Sequence, residues 1–141
     1  MALASFLQLL RPHSLAQEQH AQRRYRMAAQ QLASRVRVTF DEWLALREIE
    51  SDYMQLANAA AVKRWELMRL ANDAEHLDRP RSYAATHRDV HNALVGSARA
   101  CQLLASGYRS HNSDAVCDGQ ALLLETVTEL NALVAQLETR V

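Results

Sequence analysis

Apolar positions in this chain recur every three or four residues over long stretches. Between residues 83 and 108 a mainly apolar stripe is spaced 4-3-4-3-4-3-4, and the same spacing returns between residues 116 and 141. Residues 46–77 follow a similar rule, and residues 21–36 follow it more weakly. Because this spacing places a stripe on one face of a helix, the pattern predicts four amphipathic helices.

The predicted helix ends depend on capping signals. Thr39 followed by Glu42 has the form of a capping box, and Val38 and Trp43 occupy the positions of a hydrophobic staple. Pro80 is expected to end the second helix, since the residue before a proline disfavours the helical conformation. The predicted helices span residues 15–38 and 40–77, followed by a helix that Ser82 caps and that reaches residue 107 or 108, and by one from residue 113 nearly to residue 141.

Short connections between such helices make them antiparallel neighbours, so we expect an all-α, antiparallel up-down-up-down four-helix bundle. The 141 residues include three glycines, two prolines and 6% aromatics, too few for a β-sandwich or barrel. The expected organisation is one bundle domain, residues 13–141, after a short apolar N-terminal segment, residues 1–12. That segment is too short to span a membrane and lacks the basic start of a secretory signal.

The formal net charge is zero, which makes nucleic acid an unlikely partner for the chain as a whole. Residues 1–38 nevertheless carry six arginines against one acidic residue. A hypothesis of anion or nucleic-acid binding would therefore rest on Arg23, Arg24 and Arg26 of the first helix. Two cysteines do not form a disulfide framework in a chain of this length. Because disulfide frameworks are typical of secreted proteins, we expect a cytoplasmic protein.

The second predicted helix carries a second stripe, which contains methionine and tryptophan. Its members are Met54, Asn58, Ala61, Trp65 and Met68. A helix of a single bundle needs only one buried stripe, so the second one suggests a protein partner or a homo-oligomer. The apolar opening segment is a further interface candidate, through Phe6 and Leu7.

Polar residues interrupt the predicted core stripes. Pairing the helices about turns near Thr39 and Pro80 predicts a polar layer of Glu18, Lys63 and Ser97, with Gln120 as a further polar core position. Such a layer could set the register of the helices or line a ligand pocket.

Two pairs of potential metal ligands flank the turn at Pro80. Asp73 and His76 are three residues apart, and His87 and His91 are four apart, so each pair lies on one helix face. Together they are a candidate zinc or iron site; without it, no cofactor is expected.

The sequence lacks GxSxG, P-loop, GxGxxG, HExxH and CxxC motifs. The expectation is therefore a non-catalytic helical-bundle protein that associates with itself or with another protein. Metal binding and anion binding are the alternatives.

Overall fold

The computed structural model describes residues 15–139, which form an antiparallel bundle of four α-helices without a β-strand in that range. The helices are α1 (Leu15–Ile49), α2 (Tyr53–Glu75), α3 (Ala84–Arg109) and α4 (Ser113–Thr139), with a short 3₁₀ turn at Arg81–Tyr83. The predicted fold class is confirmed. The N-terminal segment, with Phe6 and Leu7, lies outside the described residues.

The helix pairs α2/α3 and α3/α4 make the most extensive contacts, and α1 packs across α2 and α4. The stripe predicted on the third helix is buried along its whole length and forms the centre of the bundle. Its members are Tyr83, His87, Val90, Leu94, Ser97, Cys101, Leu104 and Tyr108.

The predicted boundary between the first two helices is wrong. Helix α1 continues through Thr39, which is buried in the core and donates its hydroxyl hydrogen to Glu66 Oε2 at 3.3 Å. Val38 is 56% exposed while Trp43 is buried, so these two residues form no hydrophobic staple. The chain does not turn at Thr39 because burying Thr39 and Trp43 requires the helix to continue.

The turn lies instead at residues 50–52. Asp52 caps α2, since its Oδ1 accepts a hydrogen bond from the Met54 backbone nitrogen at 2.9 Å. The Asp52 backbone nitrogen donates in turn to Glu50 Oε1 at 3.0 Å. Gln55 stands three residues after Asp52, so the sequence at this turn also has the spacing of a capping box.

The other predicted boundaries differ by one or two residues where the structure describes them. Helix α2 ends at Glu75 rather than residue 77, and α3 begins at Ala84 after the 3₁₀ turn. Ser82 therefore caps no α-helix, and its hydroxyl contacts Gln22 and Glu18 of α1.

Two glycines allow α3 and α4 to approach closely. A Cβ added at Gly107 would lie 2.9 Å from the Val116 backbone nitrogen, and one added at Gly119 would lie 3.0 Å from the Leu104 backbone nitrogen. The close contact of this helix pair therefore depends on having no side chain at these two positions.

Candidate interaction face on the second helix

Helix α2 buries one face and exposes another that is also largely apolar. Leu56, Leu67 and Leu70 are at most 3% exposed and belong to the core. On the other side, Met54 is 55% exposed and Trp65 is 76% exposed. At 3.6 residues per turn these two sets point in clearly different directions from the helix axis, so packing within the bundle leaves the second set uncovered by the described chain.

This exposed set extends over most of α2. Met68 is 43% exposed, Ala61 is half-buried, and Asn58 and Asn72 are exposed. We call Met54, Asn58, Ala61, Trp65, Met68 and Asn72 the second-helix face.

The second-helix face contains no charged residue, although charged residues make up 23% of the chain. Arg64, Arg69 and the 56% exposed Val62 are among its exposed neighbours on the same helix, and the exposed Glu75 follows the face at the last residue of α2. A centre depleted in charge with arginine at its edge resembles the composition of protein–protein interfaces.

The two tryptophans of the chain differ sharply in how much of their surface is exposed. Trp43 is 1% exposed, and its indole nitrogen donates to Gln120 Oε1 at 3.0 Å. Trp65 has no comparable burial, although its side chain offers the largest apolar surface of any residue type. Large exposed apolar patches on soluble proteins usually mark a binding surface.

The predicted polar layer is not one layer, because its members have separate partners. Lys63 pairs with Glu42 of α1, and Glu66 lies 3.5 Å from its Nζ. Ser97 instead donates to Thr126 Oγ1 at 2.9 Å inside the α3/α4 contact.

Glu18 lies at the other end of α1, where its Oε1 accepts from Gln22 and Ser82 at 3.4 Å. Pairing Glu18 with Lys63 was therefore wrong, and the cause is the misplaced first turn. The Glu42 and Glu66 carboxylates offset the burial of Lys63. Burial by itself lowers the pKa of the ammonium group, but the hydrogen bonds and charges of these carboxylates raise it above its usual value.

Within residues 15–139, the gap beside the polar side chain of Lys63 is too narrow to be a ligand cavity. It is lined by Thr39, Trp43 and Cys101 among others, and it has no room for a water molecule. Burial raises the pKa of the Cys101 thiol to about 12, so this group is an unreactive thiol of the core. Cys117 is exposed, and both cysteines are free.

The candidate metal ligands do not converge. Among residues 15–139, no group of three or more His, Cys, Asp and Glu side chains is placed to hold a metal ion. His76 is exposed and donates from Nδ1 to the Asn72 carbonyl at 2.8 Å. His87 is buried and shares a hydrogen bond between its Nδ1 and the Tyr25 hydroxyl at 2.9 Å. Asp73 and His91 therefore have no metal-binding group to join.

The Tyr25–His87 pair is a buried neutral contact. Burial raises the pKa of Tyr25 to about 12. Burial also lowers the pKa of His87, and the positive charge of Arg79 lowers it further. Both groups are uncharged at neutral pH, so the pair acts as a structural hydrogen bond between α1 and α3.

The arginine cluster on α1 has mixed surroundings. Arg23 and Arg24 are exposed, whereas Arg26 is half-buried and donates from Nη1 to the Tyr83 hydroxyl at 3.4 Å. One of the three guanidinium groups is therefore used within the bundle. Anion binding by this cluster stays a prediction.

Sequence reasoning did not find a surface hollow of about 430 Å³ at the α1–α2 turn. Tyr53, Tyr108, Arg109 and His111 are among its lining residues, with the Tyr53 and His111 rings stacked at a centroid distance of 5.0 Å. The hollow forms where two turns meet, and no local motif indicates that meeting. Met54 also lines it, so the hollow adjoins the second-helix face.

Comparisons with protein-family models, with curated proteins and with solved structures found no match. Within residues 15–139, no helix combines the length and apolar character needed to cross a membrane.

Proposed function

We propose that this chain is a non-catalytic assembly protein that pairs with a second copy of itself through the second-helix face. The observation that carries the proposal is the 76% exposure of Trp65 in the middle of an uncharged stripe. Tryptophan and methionine are enriched in interfaces, and tryptophan is among the commonest energetic hot spots.

The exposed area suits a protein interface. Met54, Val62, Trp65 and Met68 together expose on the order of 400 Å² per copy, from their exposed fractions and typical side-chain areas. A standard interface buries roughly 800 Å² per partner, and somewhat more than half of that area is apolar. The four side chains therefore supply most of the apolar share, and neighbouring polar residues can supply the remainder.

A second copy is the occupant that needs no further assumption about another protein. Each copy brings the same uncharged stripe, and two-fold symmetric pairs of one surface are the commonest form of oligomer. The two free cysteines suit a reducing compartment, so a cytoplasmic location is part of the proposal.

Light scattering after size-exclusion chromatography tests the proposal with the wild type and Trp65→Ala. We expect a dimer whose dissociation constant rises at least about 30-fold in the variant, because truncating a tryptophan hot spot costs about 2 kcal/mol or more. Leu124→Ala is the matched control, since Leu124 is 56% exposed on α4. A wild type that stays monomeric at high concentration would contradict self-association, as would equal weakening by both substitutions.

A further inference from the structure

The second-helix face has a seven-residue repeat. Met54, Ala61 and Met68 are spaced by seven residues, and so are Asn58, Trp65 and Asn72. The two sets alternate along α2 at intervals of four and three, which is the spacing of the seam positions of a coiled coil. The face is therefore suited to packing along a second, nearly aligned helix.

We infer that two copies pair α2 against α2 in antiparallel orientation, with the two-fold axis beside residue 63. This inference rests on the proposed self-association and specifies its geometry. Residue 63 lies midway between Met54 and Asn72, so antiparallel pairing about it uses the whole face. Each Trp65 then packs against the partner's Ala61.

The sizes of the side chains favour this orientation. In antiparallel pairing every layer combines a larger residue with a smaller one: Trp65 with the partner's Ala61, Met68 with the partner's Asn58. Parallel pairing in register would place two tryptophans in one layer and two alanines in the next. Because the axes of packed helices keep a nearly constant separation, alternating large-with-large and small-with-small layers would leave a gap at the alanines.

Two further features agree with the antiparallel arrangement. Antiparallel helices place the positive end of one dipole beside the negative end of the other. Asn72 lies at the end of the seam, where its amide can keep contact with water and needs no buried partner. Asn58 lies one layer further in, opposite the partner's Met68.

Cross-linking of paired single-cysteine variants tests the orientation. Gln55 and Arg69 are both exposed and lie on the same edge of the second-helix face. In the antiparallel pair, position 55 of one copy lies beside position 69 of the other. Two copies of position 69 would be separated by about 18 Å along the axis, at 1.5 Å per residue.

We would therefore co-express Gln55→Cys with a size-tagged Arg69→Cys, both in a Cys117→Ser background. After treatment with a short bismaleimide, we expect the mixed adduct to exceed either homodimeric adduct at least about tenfold. Each variant expressed alone is the matched control, and circular dichroism checks its helical content.

The other outcomes separate the two proposals. If homodimeric adducts dominate, self-association survives and the antiparallel orientation is overturned. If light scattering shows a dimer but no adduct forms, the pairing uses another surface and the inference is again overturned. A monomer at every concentration would overturn the proposed function and this inference together.

Discussion

Removing the Tyr25 hydroxyl should destabilise the bundle measurably. The Tyr25 ring is 2% exposed and His87 is 5% exposed, and their hydrogen bond of 2.9 Å joins α1 to α3. Tyr25→Phe deletes the bond and leaves the Nδ1 atom of His87 without its partner. A buried polar group stranded in this way costs about 1–3 kcal/mol.

The expected loss converts to a fall in melting temperature of roughly 3–10 °C for a domain of this size. Urea unfolding followed by circular dichroism at pH 7.5 would measure the free energy of unfolding. The neighbouring ring contact should remain, since the centroids of Tyr25 and Tyr83 are 5.5 Å apart and phenylalanine keeps the ring.

A double-mutant cycle with His87→Leu isolates the pair. Replacing both polar partners by apolar groups is often nearly neutral, so the double variant should lose less stability than the two single losses added together. A Tyr25→Phe variant within about 0.5 kcal/mol of the wild type would refute the assigned role of the hydrogen bond. Strict additivity of the two losses would refute the coupling.

Three further outcomes are expected. Burial lowers the pKa of His87 below its usual 6.5, so on acidification the unfolded chain takes up the proton before the folded protein does. The free energy of unfolding should therefore be constant above about pH 6.5 and fall below it. Measured by urea unfolding between about pH 7.5 and 5.5, this fall should be smaller in His87→Leu. Gly107→Ala should cost about 1–3 kcal/mol because its Cβ would lie 2.9 Å from the backbone of α4, whereas Ser106→Ala on the exposed side should change thermal stability little. A thiol reagent should label Cys117 rapidly and Cys101 only on unfolding; equal rates in the folded protein would contradict the burial of Cys101.

Local spacing predicted the helical elements because each depends on neighbours within a few residues. The third-helix stripe from Tyr83 to Tyr108 is buried as expected, and α4 begins at Ser113 as expected. The stripe containing Trp65 was also visible in the sequence, since a repeat of three and four residues defines a helix face whatever the helix packs against.

The turn between α1 and α2 could not be settled locally. Thr39 with Glu42 and Asp52 with Gln55 both have the spacing of a capping box, and the staple pattern of Val38 and Trp43 favours the wrong one. The choice depends on burial, because continuing α1 places Thr39 and Trp43 in the core. The burial of these two side chains depends on the packing of the whole bundle, which no local segment indicates.

The number of helices, their amphipathic faces and the uncharged stripe on α2 were predictable without the fold, because they follow from spacing along one helix. Which polar groups meet depends on how the helices pack against one another. In an antiparallel pair, moving the turn from residue 39 to residue 51 shifts every cross-helix partner by twice that distance, which changes the partner of Lys63 from Glu18 to Glu42. Partners across a bundle depend on register, and register is set by the packing of the whole core.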